Sequence, residues 1–351
     1  MDLTRIISGI VPSDREYLVK AQARTAQLLM PARAMGRLHE VAERICAMRR
    51  TAKPRTDAKA IVVMAGDHGV TDEGVSAYPA DVTAAMVLTF IRGGATINVL
   101  ARQLKASITV VDMGIRADLK PAPGFLVRKI AAGTGNFARG PAMTRAQAET
   151  AVLTGFAVGE DVIAAGGADL LGTGDMGIGN TTPATAVGAV ITGRPVAAMT
   201  GRGTGVDDAG LARKIAVITQ GIALNRPDPR DGLDVLAGVG GFEIGGIAGL
   251  CLAAAHHRVP VVIDGLISTA GALIAHALAP ASVDYMIAGH CSFEQGHRPM
   301  LDHLGLAPLL DLGMRLGEGT GAALAMHIVQ GAVNIHNEVL TFGDVGLAQK
   351  T

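Results

Sequence analysis

Two acids set among glycines are the residues best placed to do chemistry. Asp175 lies in Gly172-Thr-Gly-Asp-Met-Gly-Ile-Gly-Asn-Thr-Thr182, and Glu318 lies in Gly317-Glu-Gly-Thr-Gly321. Glycines at 172, 174, 177 and 179 remove side chains where backbone N–H groups could face an anion. A helix-like run follows, with Pro183 suited to a first turn. The stretch therefore reads as a phosphate cradle: the apolar run Ala168-Asp-Leu-Leu171 ends a strand, a glycine loop follows, and a helix begins. Gly201-Arg-Gly-Thr-Gly205 repeats the theme, and Lys214, on the helix after it, is placed to reach a phosphate there. An ordinary solvated lysine is the alternative. The glycines flanking Glu318 leave room for a flat ring to approach it. An acid at a helix start is also stabilised by the helix dipole with no catalysis, so spacing leaves both readings open.

Several familiar chemistries are not favoured. Gly172-Thr-Gly-Asp-Met-Gly177 has the letters of a dinucleotide fingerprint, but that site needs a ribose-binding acid about twenty residues on. Residues 190–196 read Val-Ile-Thr-Gly-Arg-Pro-Val and supply none. The chain has no G-x-x-x-x-G-K-[ST] and no G-x-S-x-G. Val261-Val-Ile-Asp-Gly265 offers one acid after a strand, not the adjacent pair that holds ribose and Mg²⁺ in pyrophosphate-using transferases. His290, His297 and His303 fall on no metal-ligand spacing. Neither a bound metal nor a cofactor is expected.

The elements that must position these residues alternate. Ser13-Asp-Arg-Glu16 is a capping box for a helix to Leu29, and a second helix spans 37–50. Strands are expected at 60–65, 108–112, 125–130, 168–171, 196–199, 259–264, 285–288 and 309–312. Helices are expected at 80–91, 95–104, 144–165 (from the box Thr144-Arg-Ala-Gln147), 182–191, 209–224 capped by Asp207, 234–237, 244–256, 266–278 and 322–338. This alternation predicts an α/β fold with a mostly parallel, Rossmann-like sheet and helices on both faces. The glycine-plus-acid clusters 66–69, 172–179, 201–205, 264–265 and 289–294 all follow expected strands, which points to one shared site at the carboxyl edge.

Composition bounds the class. The 351 residues, 49% hydrophobic and 18% charged, suit one large domain with a lobe or two domains. A mean hydropathy of +0.35, with 46 glycines and 3% aromatics, points to closely approaching backbones and to an oligomer that buries part of its surface. With 31 basic and 31 acidic residues and no basic block among aromatics, nucleic acid is not an expected partner. Cys46, Cys251 and Cys291 form no CxxC, which fits a reducing compartment, and a cytoplasmic location is expected. The first residues lack a signal-peptide pattern, and the longest apolar run, 259–279, is interrupted by Asp264, Gly265 and His276, so no membrane span is expected.

Taken in order, the motifs resemble those of the nicotinate-nucleotide–dimethylbenzimidazole phosphoribosyltransferases of cobalamin lower-ligand synthesis. The carriers are Gly66-Asp-His-Gly-Val70, Asp72-Glu-Gly-Val75, Met176-Gly-Ile-Gly-Asn-Thr-Thr-Pro-Ala184, Asn225-x-Pro-x-Pro-Arg-Asp-Gly232, Val239-Gly-Gly-Phe242 and Arg315-Leu-Gly-Glu-Gly-Thr-Gly-Ala-Ala-Leu-Ala325. The resemblance implies a homodimer, an α/β catalytic core (56–324) and a small helical lobe from both chain ends (1–55 with 325–351). It implies transfer of the phosphoribosyl group of nicotinate mononucleotide to 5,6-dimethylbenzimidazole or a related base, with inversion at C1′. The alternatives are another nucleotide-dependent α/β enzyme or a non-catalytic nucleotide- or azole-binding protein. Glu318 falls on the family's catalytic base, with Asp175 as a second catalytic acid. Gly177, Gly179, Asn180, Thr181, Thr182, Gly203, Lys214, Tyr78, Asp264 and Gly317 make the expected substrate-binding set. The chain departs from the usual pattern in having Asp175 where the family has Glu, in reading Met30-Pro-Ala-Arg-Ala-Met-Gly-Arg-Leu38 for K-P-P-G-S-L-G-R-L, and in lacking a Gln near Ala85-Met86.

Overall fold

The computed structural model describes residues 2–347. Its first half runs α1 Leu3–Gly9, α2 Arg15–Gln27, α3 Arg37–Arg49, β1 Lys59–Gly66, α4 Val82–Ile91, α5 Thr96–Leu104, β2 Ser107–Gly114, β3 Phe125–Val127, α6 Arg145–Gly166 and β4 Leu170–Met176. Then follow α7 Thr181–Thr192, α8 Val196–Met199, α9 Asp208–Asn225, α10 Gly232–Val239, α11 Phe242–His256, β5 Val261–Ile263, α12 Leu266–Leu278, β6 Met286–Ala288, α13 His297–His303 and α14 Thr320–Glu338.

The six strands are parallel in the order β3-β2-β1-β4-β5-β6. The chain winds outward one way from β1, then α6 carries it back to lay β4 on the other side. Such a reversal opens a crevice at the carboxyl ends of the two central strands, where doubly wound sheets bind ligands. Continuous apolar strands require cover on both faces. Met64 of β1 packs on Gly246 of α11, whereas Ile61 faces Gly319 at the start of α14. Helices α6, α11 and α12 thus cover one face; α4, α5 and α14 cover the other.

Near the chain ends, α2 packs on α3 and α3 on α14. Arg24 donates to the carbonyls of His336, Asn337 and Val339, and Leu28 pairs with Thr341.

Five expectations change. The N-cap of α2 is Asp14, whose carboxylate accepts from Glu16 and Tyr17 N–H, because Ser13 is taken by Asp284. Residues 196–199 form a turn of helix, α8, following Pro195. Residues 309–312 make only one parallel bridge, His290 to Leu310. Strand β4 does not end at Leu171 but runs to Met176, paired with β1 from Lys59–Leu170 to Ala65–Met176. The glycines at 172 and 174 are therefore strand residues that admit α14. A Cβ on Gly172 would lie 2.8 Å from Met326 Cε, and one on Gly174 would lie 2.7 Å from the Glu318 carbonyl oxygen. The longest apolar helical stretch is also not 259–279. Residues Val82–Leu104 have the length and composition to cross a membrane, with a mean hydropathy of 1.5. They are broken between α4 and α5 around Gly93-Gly94, carry Arg92 and Arg102, and line the cavity described next.

Candidate active site

A cavity of about 880 Å³ opens at the carboxyl end of β4. Its floor and one side come from Asp175, Met176, Gly177, Ile178, Asn180 and Thr181, where β4 turns into α7. Gly317, Glu318 and Thr320 supply a second side, and Val82, Met86 and Leu100 of α4 and α5 an apolar third. Tyr78, 55% exposed, stands at the mouth.

Glu318 is held in an unusual backbone conformation. Gly317, Glu318 and Gly319 have φ of 83°, 63° and 90°. Glycine tolerates such angles; glutamate does so at a cost of about 1 kcal/mol or more. The turn is fixed from both sides. Glu318 N–H donates to the Asp175 carbonyl at 3.2 Å, and the Ile97 N–H donates to Glu318 Oε2 at 3.4 Å. The residue is only 4% exposed. Burial raises its pKa, opposed by the Ile97 N–H and reinforced by Asp264.

Asp175 lies directly beneath Gly317. Asn180 Nδ2 donates to its Oδ2 at 2.9 Å, while Oδ1 is buried with no hydrogen-bond partner. Complete burial raises its pKa well above the carboxylate range, helped by Asp264, Glu243 and Glu318 and opposed by Asn180. The neutral acid is the form this environment favours.

The phosphate-cradle residues converge at Thr181. The fully buried Lys214 reaches across from α9, its Nζ donating to Thr181 Oγ1 at 2.7 Å and to the Gly201 carbonyl at 3.4 Å. Burial pulls the ammonium pKa down to about 8, against the pull of Glu294. Gly203, at φ 54°, packs on Thr181 Oγ1 and Lys214 Nζ, and Arg315 Nη1 donates to its carbonyl at 3.2 Å. The N-terminus of α7 and these two cations make an anion-favouring corner.

Of the residues singled out from sequence, Tyr78, Asp175, Gly177, Asn180, Thr181, Gly203, Gly317 and Glu318 line the cavity. Gly179, Thr182 and Lys214 lie behind that wall. Asp264 also stands behind it: both carboxylate oxygens are taken by N–H groups of Gly319 and Ala322. The cavity is also lined by Arg315, His290, Ser292, Glu294 and the apolar wall, none of which is in the substrate-binding set expected from sequence. Arg315 stands three residues before Glu318, and the other polar residues sit in the 289–294 cluster, so a signal existed for them. Val82, Met86 and Leu100 look like any core residue. Beneath Gly177, His68 Nε2 lies 2.9 Å from Glu243 Oε1, both fully buried. Among the described residues, no group of three or more His, Cys, Asp or Glu side chains is arranged to hold a metal ion.

Comparison with known proteins agrees with this arrangement. Residues 10–347 match a family model described as phosphoribosyltransferase. A nicotinate-nucleotide–dimethylbenzimidazole phosphoribosyltransferase of Chloroflexus aggregans is 55% identical over 99% of this chain and 98% of its own length. One from Roseiflexus sp. is 57% identical over the same shares. The crystal structure of the Thermus thermophilus enzyme superposes with a TM-score of 0.91 at 46% identity, covering 96% of this chain and all of that one. With a parallel α/β fold and full-length similarity of this degree, the chain belongs to the nicotinate-nucleotide–dimethylbenzimidazole phosphoribosyltransferase family and is a phosphoribosyltransferase.

Proposed function

We propose that the protein transfers the phosphoribosyl group of nicotinate mononucleotide to 5,6-dimethylbenzimidazole or a related base, giving α-ribazole 5′-phosphate and nicotinate for cobalamin lower-ligand synthesis. The observation that carries this reading is a buried carboxyl, Glu318, at the edge of a cavity with an apolar wall on one side and an anion-favouring corner on the other.

In this reading the nucleotide phosphate sits against Gly177–Thr182 and Gly203, with Lys214 acting through Thr181 and Arg315 nearby. The base stacks against Val82, Met86 and Leu100. A ring nitrogen of the base attacks C1′ from the face opposite the pyridinium. The C1′–N bond to nicotinate breaks and its electron pair stays on the pyridine nitrogen, so departure neutralises a positive ring. The new benzimidazolium then gives its remaining N–H proton to Glu318. Burial of Glu318 makes it a stronger base than a solvated carboxylate. Asp175, neutral, offers an O–H to the substrates from beneath Gly317. Holding two flat rings and an anchored ribose in line supplies much of the remaining acceleration.

Mixing the protein with nicotinate mononucleotide and 5,6-dimethylbenzimidazole should give nicotinate and α-ribazole 5′-phosphate, separable by chromatography, with the anomer assigned by NMR. Formation of the β-anomer would rule out single inversion. Glu318→Gln should lower turnover by about 10²–10⁴ with nucleotide binding retained; near-normal turnover by the folded variant would remove the base assignment.

The same reading takes 1–55 with 325–351 as the helical lobe, of which residues 1 and 348–351 lie outside the described residues, and 56–324 as the catalytic core. It makes the protein a cytoplasmic homodimer. The exposed Leu88 and Val99 on α4 and α5 are apolar surface that a second copy would cover.

A further inference from the structure

Helix α14 begins immediately after Glu318, and its N-cap residue is Gly319, which has no side chain to cap it. A helix start normally satisfies some of its free N–H groups with the N-cap side chain. Here the cap comes from far away in sequence. Asp264, just past the carboxyl end of β5, accepts from Gly319 N–H at 3.1 Å through Oδ2 and from Ala322 N–H at 2.9 Å through Oδ1. Asp264 is itself fixed. Its own N–H donates to Thr173 Oγ1 at 3.1 Å, and Thr173 is the residue between the two strand glycines of β4. His290 Nε2 lies 3.8 Å from Asp264 Oδ1, and the ring packs flush on Gly321 in the first turn of α14.

We propose that Asp264 is a positioning residue for Glu318, clamping the strained turn that carries it and holding a fixed negative charge behind it. This rests on the assignment of Glu318 as the base. Without the clamp, the positive-φ turn would keep the Asp175 carbonyl, the Ile97 N–H and its own closure by Thr320, whose N–H and Oγ1 donate to the Gly317 carbonyl, but it would lose the side chain that ties the start of α14 to the end of β5. The charge matters separately. Glu318 is faced by Asp175 from β4, by Asp264 from the end of β5 and by the Ile97 N–H from α5, while Glu243 of α11 bears on Asp175 and His290 bears on Asp264. Burial raises the proton affinity of Asp264, but His290 and the N–H groups of Ala322, Gly319 and Gly321 oppose that rise. A helix N-terminus with several donors favours the ionised form. Asp264 in turn raises the proton affinity of Glu318.

Asp264→Asn separates these roles from simple support, since it keeps the shape and one accepting oxygen but removes the charge. The pH profile of kcat/KM for the base should have its acid limb displaced to lower pH by roughly half a unit or more. Maximal turnover should fall about two- to threefold as the base weakens, with nucleotide affinity retained. Loss of turnover with the limb unmoved, or kinetics identical to the unmodified protein, would overturn the proposal. If Asp264→Asn does not fold, Asp264→Glu retains the charge but pushes against α14. It should lose turnover with the acid limb in place and nucleotide affinity intact, and unchanged turnover would overturn the clamp. Glu318→Gln, measured alongside, tells the two ideas apart: activity in that variant sinks the base assignment, whereas an inactive Glu318→Gln with an unmoved limb in Asp264→Asn sinks only the role of Asp264.

Discussion

Replacing Gly174 by alanine tests whether this strand glycine exists to admit the turn at Glu318. The added Cβ would lie 2.7 Å from the Glu318 carbonyl oxygen, 2.8 Å from its carbonyl carbon and 3.0 Å from Gly319 N. All three are backbone atoms of a turn with three consecutive positive φ values, so no side chain can swing aside. Reaching ordinary contact at 3.4 Å requires the turn to move by about 0.7 Å. Overpacking of this kind costs about 1–3 kcal/mol. A misplacement approaching 1 Å at a reacting group costs on the order of 10²-fold in rate. Gly172→Ala is the matched control, because its Cβ would meet the terminal methyl of Met326 at 2.8 Å, the free end of a flexible side chain. Both variants should be measured for urea unfolding midpoint, nucleotide affinity and kcat. Gly174→Ala should lose about ten- to a hundredfold in kcat with nucleotide affinity nearly intact; Gly172→Ala should lose less than about 1 kcal/mol of stability and keep its kcat. Equal damage from the two substitutions, or a normal kcat in Gly174→Ala, would refute the close-approach reasoning.

Lys214→Met should stabilise the ligand-free protein near pH 7, because burial has lowered the lysine from 10.5 to about 8 and its charged form therefore disfavours folding below that pH. The advantage should shrink as pH rises from about 8 toward 10.5. In the unmodified protein, nucleotide affinity by calorimetry should weaken as pH rises through this window; in Lys214→Met it should be weak and flat, and parallel curves would exclude a role for the ammonium. Asp175 has its pKa raised by folding, so its contribution to stability is complete below the ordinary carboxyl range and is lost as pH rises through the folded value. Asp175→Asn, which mimics the neutral acid, should be the more stable form at neutral pH with a flatter dependence on pH. Superimposable denaturation curves from pH 5 upward would contradict this.

Sequence made the sheet, most helix starts and the two key acids legible, because they carry local signatures: apolar runs of strand length, Asp207 and Thr144 as side-chain caps, and glycines around a lone acid. It misplaced what depends on distant contacts. Gly172 and Gly174 looked like loop glycines, yet their surroundings belong to α14, more than a hundred residues later. Asp264 looked like a ligand-binding acid at a strand end, and its position there is real. Only the fold brings the bare N-terminus of α14 onto it. Likewise 196–199 is apolar enough for a strand, but it packs against α7 and α9, and Pro195 favours starting a helix.

The division of labour among Asp175, Asp264 and Glu318 follows from which donors face each one. Asp264 has N–H groups of a helix N-terminus and an imidazole, so its charge is supported. Asp175 has one side-chain amide and an unpartnered buried oxygen, so its surroundings favour the neutral acid. Glu318 accepts one long hydrogen bond on its carboxylate and borders the cavity, which suits the proposed exchange of a proton with a substrate. An acid behind that is capped by N–H donors, an acid beneath that is favoured neutral and a buried acid at the cavity edge are pushed apart in proton affinity by their environments, the arrangement that the proposed base role of Glu318 requires. The helix start contributes twice: its N–H groups oppose the rise that burial imposes on Asp264, and the negative charge they favour there disfavours the ionised form of Glu318 and raises its proton affinity.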